Sequence, residues 1–161
     1  MIFVTIGTQE PFDRLIKAID ELVPALENEE FIVQAPLKDY RPINFKTIDF
    51  MDPQQFRKNM ESASLIISHA GMGTILSAMT GQKALLIMPR LVKYGEHRNE
   101  HQLATAKIFK SLNYINVAEN VAELKDILLN RNYSDLHTSK ELGEYASGDL
   151  IQSIRNFIAK K

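Results

Sequence analysis

Leu65-Ile66-Ile67-Ser68-His69-Ala70-Gly71-Met72-Gly73-Thr74 decides how this chain is read. A short run of strand length, Leu65 to Ser68, enters a turn with two glycines, and a helical stretch follows as far as Thr80. A strand that turns into a helix in this way starts a parallel α/β unit, because the helix must carry the chain back across the sheet. Working outward, the alternation repeats. On the N-terminal side Ile2-Phe3-Val4-Thr5-Ile6 is a strand stopped by Gly7. Pro11 then opens a helix in which Phe12, Leu15, Ile16, Ile19, Leu22 and Val23 recur at three- and four-residue spacing. Phe31-Ile32-Val33 is a second strand, Lys46 to Phe50 a third, and Asp52-Pro53 caps and starts a helix to about Met60. On the C-terminal side Ala84 to Met88 is a strand closed by Pro89. A helix runs from about His101 to Leu112, and Tyr114 to Val117 is the last strand. Val121, Leu124, Ile127 and Leu128 mark one further helix, and Leu150, Ile154, Phe157 and Ile158 a C-terminal one. The expected fold class is α/β, a doubly wound, mostly parallel sheet with helices on both faces, forming one domain over residues 1–161. Ligands of such sheets bind outside the carboxyl ends of the strands.

Composition narrows the function classes. The chain has 161 residues, 45% of them hydrophobic, which suffices for one core. Its 19 Lys and Arg stand against 20 Asp and Glu, so no general field attracts a nucleic acid or an anionic membrane. Cysteine is absent, which excludes a disulfide framework, a thiolate zinc site and a thiol nucleophile, and suits a reducing cytoplasm. Met1 to Gly7 is apolar but lacks a basic leader, so it does not read as a signal peptide. No segment approaches the roughly 20 apolar residues of a membrane span.

Three loops at strand ends carry the candidate chemistry. In Ser68 to Thr74, glycines at 71 and 73 let the backbone pass close to a ligand, and the free amides and dipole of the following helix favour a phosphate. Thr74 adds a hydroxyl and His69 an imidazole, although the same turn also serves an ordinary strand-to-helix connection. Gly7-Thr8 follows the first strand similarly, without the further glycines of a dinucleotide fingerprint or the lysine of a P-loop. The third loop gathers Arg90, Lys93, Glu96, His97, Arg98, Asn99, Glu100, His101 and Gln102, a set suited to a ligand rich in hydroxyls. His97 and His101 are four apart, but Glu96 precedes the first histidine, no third ligand is evident, and no metal site is expected.

Taken in order, His69-Ala70-Gly71-Met72-Gly73-Thr74, Gly81-Gln82-Lys83-Ala84 with the strand ending in Pro89, and His101-Gln102 resemble the C-terminal, donor-binding domain of GT-B glycosyltransferases. The set is most similar to the Alg13-like group, and Gly7-Thr8 with Phe12-Asp13-Arg14-Leu15, and Arg90 through His97, resemble in particular the small subunits of bacterial two-component exopolysaccharide glycosyltransferases. The resemblance covers roughly residues 1–129. It implies a Rossmann-like half of a GT-B fold that binds a UDP-sugar as substrate, with no cofactor and no metal. His69, Ala70, Gly71, Met72, Gly73 and Thr74 would hold the diphosphate, and Gly7 and Thr8 would close the site. Gln102, with His101 or Glu100, would meet the sugar hydroxyls, and Arg90, Glu96 and Asn99 belong to the same expected substrate site. His69, Arg90 or Lys93 would neutralise the leaving group, with His69 and Arg90 the candidate catalytic residues. Where many relatives have an acidic residue on the helix after the glycine loop, this chain has Ser77.

The resemblance further implies metal-independent, inverting transfer of a hexose or N-acetylhexosamine to a lipid-linked glycan acceptor in exopolysaccharide or capsule synthesis. The chain has residues for one of the two GT-B domains, and no base for an acceptor hydroxyl is evident. A membrane-anchored acceptor-binding subunit is therefore the expected partner, holding a cytoplasmic chain at the inner face of the membrane. Two other classes stay open at this point. One is a non-catalytic nucleotide-binding or regulatory module on the same fold. The other is a self-sufficient sugar-nucleotide epimerase or hydrolase, for which no nucleophile or carboxylate pair is visible.

Overall fold

The computed structural model describes residues 1–130 and 132–136, with Gln152 and Asn156 beyond them. The helix expected around Leu150 to Ile158 lies outside the described residues, apart from those two positions. Six strands form one sheet, β1 (Ile2–Thr5), β2 (Phe31–Gln34), β3 (Thr47–Ile48), β4 (Leu65–His69), β5 (Leu85–Met88) and β6 (Asn116–Val117). Their order is β3-β2-β1-β4-β5-β6, and every pairing is parallel. Among residues 1–136 as described, five α-helices connect or follow them, α1 (Asp13–Asp20), α2 (Pro53–Ser62), α3 (Met72–Thr80), α4 (His101–Ser111) and α5 (Val121–Asn130).

Side chains alternate between the two faces of the strands, and both faces are buried. Val4, Ile67 and Leu86 point into a core shared with Leu15, Ile19 and Leu124 of α1 and α5. Phe3, Ile66, Leu85 and Ile87 point the other way, against Met60, Ile75, Met79 and Ala106 of α2, α3 and α4. This explains why the central strands read as continuous apolar runs. The outer strands are shorter than the sequence suggests, because each pairs on one side only. β3 keeps two of five expected residues before Met51 turns into the core and the Asp52 carboxylate caps α2 by accepting from the amides of Gln54 and Gln55, each at 2.9 Å.

Strand order reverses at β1, which has β2 on one side and β4 on the other. The helix after β1 packs on one face and the helix after β4 on the opposite face, so their loops diverge and leave a crevice at the carboxyl ends. On the β2 side, α1 holds the long connection in place. The Asp13 carboxylate accepts from the amides of Lys38, Asp39 and Tyr40, and one helical face further along, Asp20 accepts from the Tyr40 hydroxyl and the amides of Ile43 and Asn44.

Candidate donor site at the sheet crossover

His69 ends β4 and its imidazole is wedged between the two neighbouring loops. A Cβ placed on Gly71 would lie 2.2 Å from its Nε2, and one on Gly7 would lie 3.3 Å from its Cε1. Gly7 also has φ +76°, a conformation side chains resist. Glycine at these two positions therefore leaves room for the histidine. Gly73 is different. Its φ is ordinary and a Cβ there would meet nothing within 4 Å, so no neighbour in the protein requires glycine at this position.

Gly73 lies in the first turn of α3, whose cap is Gly71, with no side chain accepting from the exposed amides. The first amide to bond along the helix is that of Ile75, to the Gly71 carbonyl at 3.2 Å. Among the described residues nothing accepts from the amides of Met72, Gly73 or Thr74, and no acidic residue occupies the turn. Gly73 and Thr74 open onto a cavity of ≈ 970 Å³ whose opposite walls are the β1 end, with Thr5, Gly7 and Thr8, and helix α2. Three unspent N–H groups and the positive end of a helix dipole, facing a cavity at the sheet crossover, suit an anionic group such as a phosphate. Met72 is exposed and Ala70 is buried beneath the turn.

The third loop is built differently. Arg90, 3% exposed, donates through Nη2 to the carbonyl of Ile6 at 2.8 Å and to that of Glu10, and its guanidinium lies over the Phe12 ring. Its backbone amide donates to Gln102 Oε1 at 3.2 Å, and Gln102 is itself 4% exposed. Both oxygens of Glu96 accept from Arg14, at 2.7 and 2.8 Å, and one accepts again from the Leu91 amide at 2.9 Å. Arg14 also donates to the Pro89 carbonyl. Arg90 thus ties the β5–α4 loop to the β1–α1 loop, Glu96 ties it to Arg14 of α1, and Gln102 of α4 holds its first residue; none of the three lines the cavity. Asn99 and His101 are exposed, bonded to each other through Asn99 Oδ1 and His101 Nδ1. The His97 and His101 rings meet edge to face at 4.6 Å, and among the described residues no group of three His, Asp or Glu side chains is placed to hold a metal ion.

Burial, reinforced by the charge of Arg90, pushes the His69 imidazole down to about 4. It is therefore neutral at neutral pH, a hydrogen-bonding group and not a cation; Ser68 Oγ lies 3.3 Å from its Nδ1. Burial likewise lowers Arg90 to about 10, which leaves it charged.

Several cavity residues carried no role in the sequence reading. Phe50, Met51, Phe56 and Arg57 form the wall on the α2 side and Gln34 closes the β2 side, while Ser77, singled out in the sequence, lies on the α3 side. Only the Asp52-Pro53 cap hinted that the preceding residues bend toward the sheet. Gln34 is 2% exposed and its Oε1 has no hydrogen-bond partner among the described residues.

Comparison with known proteins gives four relevant matches. A model of the glycosyltransferase family 28 C-terminal domain matches residues 1–142. The UDP-N-acetylglucosamine transferase subunit ALG13 of Candida albicans is 27% identical over 112 residues, 69% of this chain and 36% of that protein. The chain thus spans just over a third of that relative's length. Among solved structures, the NMR solution structure of ALG13 matches with a TM-score of 0.56 at 19% identity, over 95% of this chain and 93% of that one. MurG of Acinetobacter baumannii matches with a TM-score of 0.59 at 18% identity, over all of this chain and 50% of that one. Both structures share the fold described above.

Proposed function

From the premise that the chain belongs to the glycosyltransferase family 28 C-terminal domain family, Alg13-like and Rossmann-like in fold, we propose that it is the UDP-sugar-binding subunit of a two-component glycosyltransferase. The observation that carries this reading is the first turn of α3, with three amides lacking acceptors and a Gly73 that nothing in the protein requires, opening onto the cavity. The donor diphosphate sits there, and the Thr74 hydroxyl adds a further donor.

In the transfer step an acceptor hydroxyl attacks the anomeric carbon, a C–O bond forms with inversion, and the bond to the diphosphate breaks. UDP leaves with the electron pair, and the hydroxyl proton goes to a base on the partner. The α3 amides stabilise the charge that gathers on the departing diphosphate, and they act without reorganising. His69, neutral and held between Gly7 and Gly71, is placed to donate one hydrogen bond. Arg90 acts from behind through its charge and by fixing the loop that carries Gln102. This scheme asks for no metal ion.

The Candida albicans relative is named for UDP-N-acetylglucosamine, which supports that donor among hexose and N-acetylhexosamine nucleotides. A membrane-anchored subunit binds the lipid-linked glycan, in exopolysaccharide or capsule synthesis, and brings this chain to the inner face of the membrane. No helix among the described residues is long and apolar enough to cross a membrane. The test is an assay with radiolabelled UDP-sugars and a lipid-linked acceptor, with the chain alone and with the candidate partner, in EDTA and without it. The expected result is donor binding by the chain alone and transfer only with the partner, insensitive to EDTA. Transfer by the chain alone, or failure to bind any UDP-sugar, contradicts the proposal.

A further inference from the structure

Ser68 and His69 end β4, and the hydrogen bonds there fix which ring nitrogen carries the proton. Ser68 is fully buried, and its Oγ donates to the Thr5 carbonyl at 2.7 Å. A hydroxyl has one hydrogen, so toward His69 Nδ1, 3.3 Å away, the same oxygen can only accept. The Thr5 carbonyl, which also meets the ring, is an acceptor as well. Nδ1 therefore bears the N–H, and in a neutral ring Nε2 is left as a lone pair. The single hydrogen bond that the neutral ring donates is spent on the strand end.

Nε2 is turned the other way, 2.2 Å from the place of a Gly71 Cβ and 3.7 Å from that of a Gly7 Cβ. Gly7 lines the cavity and Gly71 caps α3, so an anion held by the Met72, Gly73 and Thr74 amides has this nitrogen as a neighbour. Among the described residues the buried side-chain atoms without partners are Gln34 Oε1 and Arg90 Nε; Nε2, which also lacks one, keeps accessible surface. A lone pair facing a phosphate oxygen is repelled, whereas an N–H facing it is attracted. The gap therefore suits a diphosphate once a second proton joins the ring.

We propose that the donor diphosphate draws a proton from solvent onto His69 Nε2, turning an acceptor in the free chain into a charged donor to phosphate in the complex. The assignment rests on the UDP-sugar reading above and deepens it by placing a proton at a stated atom. Burial and the charge of Arg90 oppose protonation of the free ring, and His97 acts in the same sense as Arg90. Those two side chains, both from the β5–α4 segment, are the charged or titratable groups that bear on the ring among the described residues. The first turn of α3 has no acidic residue, and the end of β1 brings only the Thr5 carbonyl. A diphosphate beside the ring reverses the balance, since an opposite charge within ~4–6 Å favours the protonated form by about 10- to 1000-fold. When the bond from sugar to diphosphate breaks, the β-phosphate gains one negative charge, which holds the proton more tightly. The proton returns to solvent as UDP leaves.

Nitrogen-15 spectra of the whole chain with labelled histidine read the tautomer directly. At pH 7 the free chain is expected to show His69 Nδ1 protonated and Nε2 bare, and UDP-N-acetylglucosamine added at pH 6 is expected to protonate both. That ligand is chosen because both of its phosphates are esterified, so it takes up no proton itself in this range. Titration calorimetry in two buffers of different ionisation enthalpy then counts the proton. Affinity is expected to be about 10-fold higher at pH 5 than at pH 7, with the same dependence in His97→Gln and none in His69→Gln. A free ring with its proton on Nε2 overturns the assignment, and so does binding without proton uptake, both while leaving the donor site intact. A wild-type chain that does not bind UDP-N-acetylglucosamine overturns that donor reading, and this one with it. If His69→Gln does not fold, the wild-type spectra decide.

Discussion

The α3 turn and the β5–α4 loop both follow central strands, and both are rich in groups that hydrogen-bond, but they use that capacity in opposite ways. In the loop, the Glu96 carboxylate takes three hydrogen bonds from Arg14 and Leu91, Arg90 reaches two carbonyls of the first loop, and Gln102 accepts from the Arg90 amide, while the buried Arg90 Nε is left without a partner among the described residues. In the turn, the amides of Met72, Gly73 and Thr74 are left without partners among the described residues. Polar groups consumed internally hold shape, whereas polar groups kept in reserve at a cavity await a ligand. The two regions should accordingly fail in different ways, one by losing stability and the other by losing affinity.

The largest effect is expected on the consumed side. Glu96→Ala strands a part-buried Arg14 and removes the acceptor of the Leu91 amide, so urea denaturation should show a loss of roughly 3–5 kcal/mol. A loss below about 0.5 kcal/mol, the range of ordinary surface changes, would erase the distinction between the two regions.

His69 joins them, and its effect depends on pH. The folded imidazole titrates near 4 against 6.5 when unfolded, so the unfolded chain takes up the proton first as pH falls. The stability linked to this group is complete above pH 6.5 and is lost as pH drops through 4, about 3 kcal/mol in all. Denaturation midpoints between pH 7 and 4 should fall in wild type and fall by much less in His69→Gln. Parallel curves for the two proteins would show that the imidazole is not held neutral.

The glycines sharpen the comparison at smaller energies. Gly71→Ala drives a methyl group into the His69 ring and should cost about 1–3 kcal/mol along with donor affinity. Gly73→Ala meets no neighbour and removes a flexible helical glycine, so it should leave stability unchanged or raise it by about 0.5–1 kcal/mol while still weakening UDP. Thermal melts with parallel calorimetry separate the two. Unchanged UDP affinity in Gly73→Ala would remove the ligand as the reason for that glycine.

Much of this was legible in the chain and part was not. The central strands and the turn at His69 to Thr74 declare themselves through apolar runs and glycine, because burial on both faces and a helix start leave local marks. The short edge strands β3 and β6 show their places but not their lengths, since length there depends on a neighbour on one side only. Gly71 and Gly73 look alike in sequence, and only the imidazole lying against one of them tells them apart. Glu96 reads as a sugar contact until Arg14, 82 residues away in the chain, is seen to occupy its carboxylate. Gln34 reads as the polar end of a strand, and its missing partner is visible only once every neighbour is in place.

The most direct test of the central claim is a titration of the isotope-labelled chain with UDP, followed by the backbone amide resonances. The account predicts that Met72, Gly73 and Thr74 shift first and furthest, with smaller changes at Gly7 and Thr8 and little change at Glu96. Shifts concentrated in residues 96–102 while the α3 turn stays silent would contradict it.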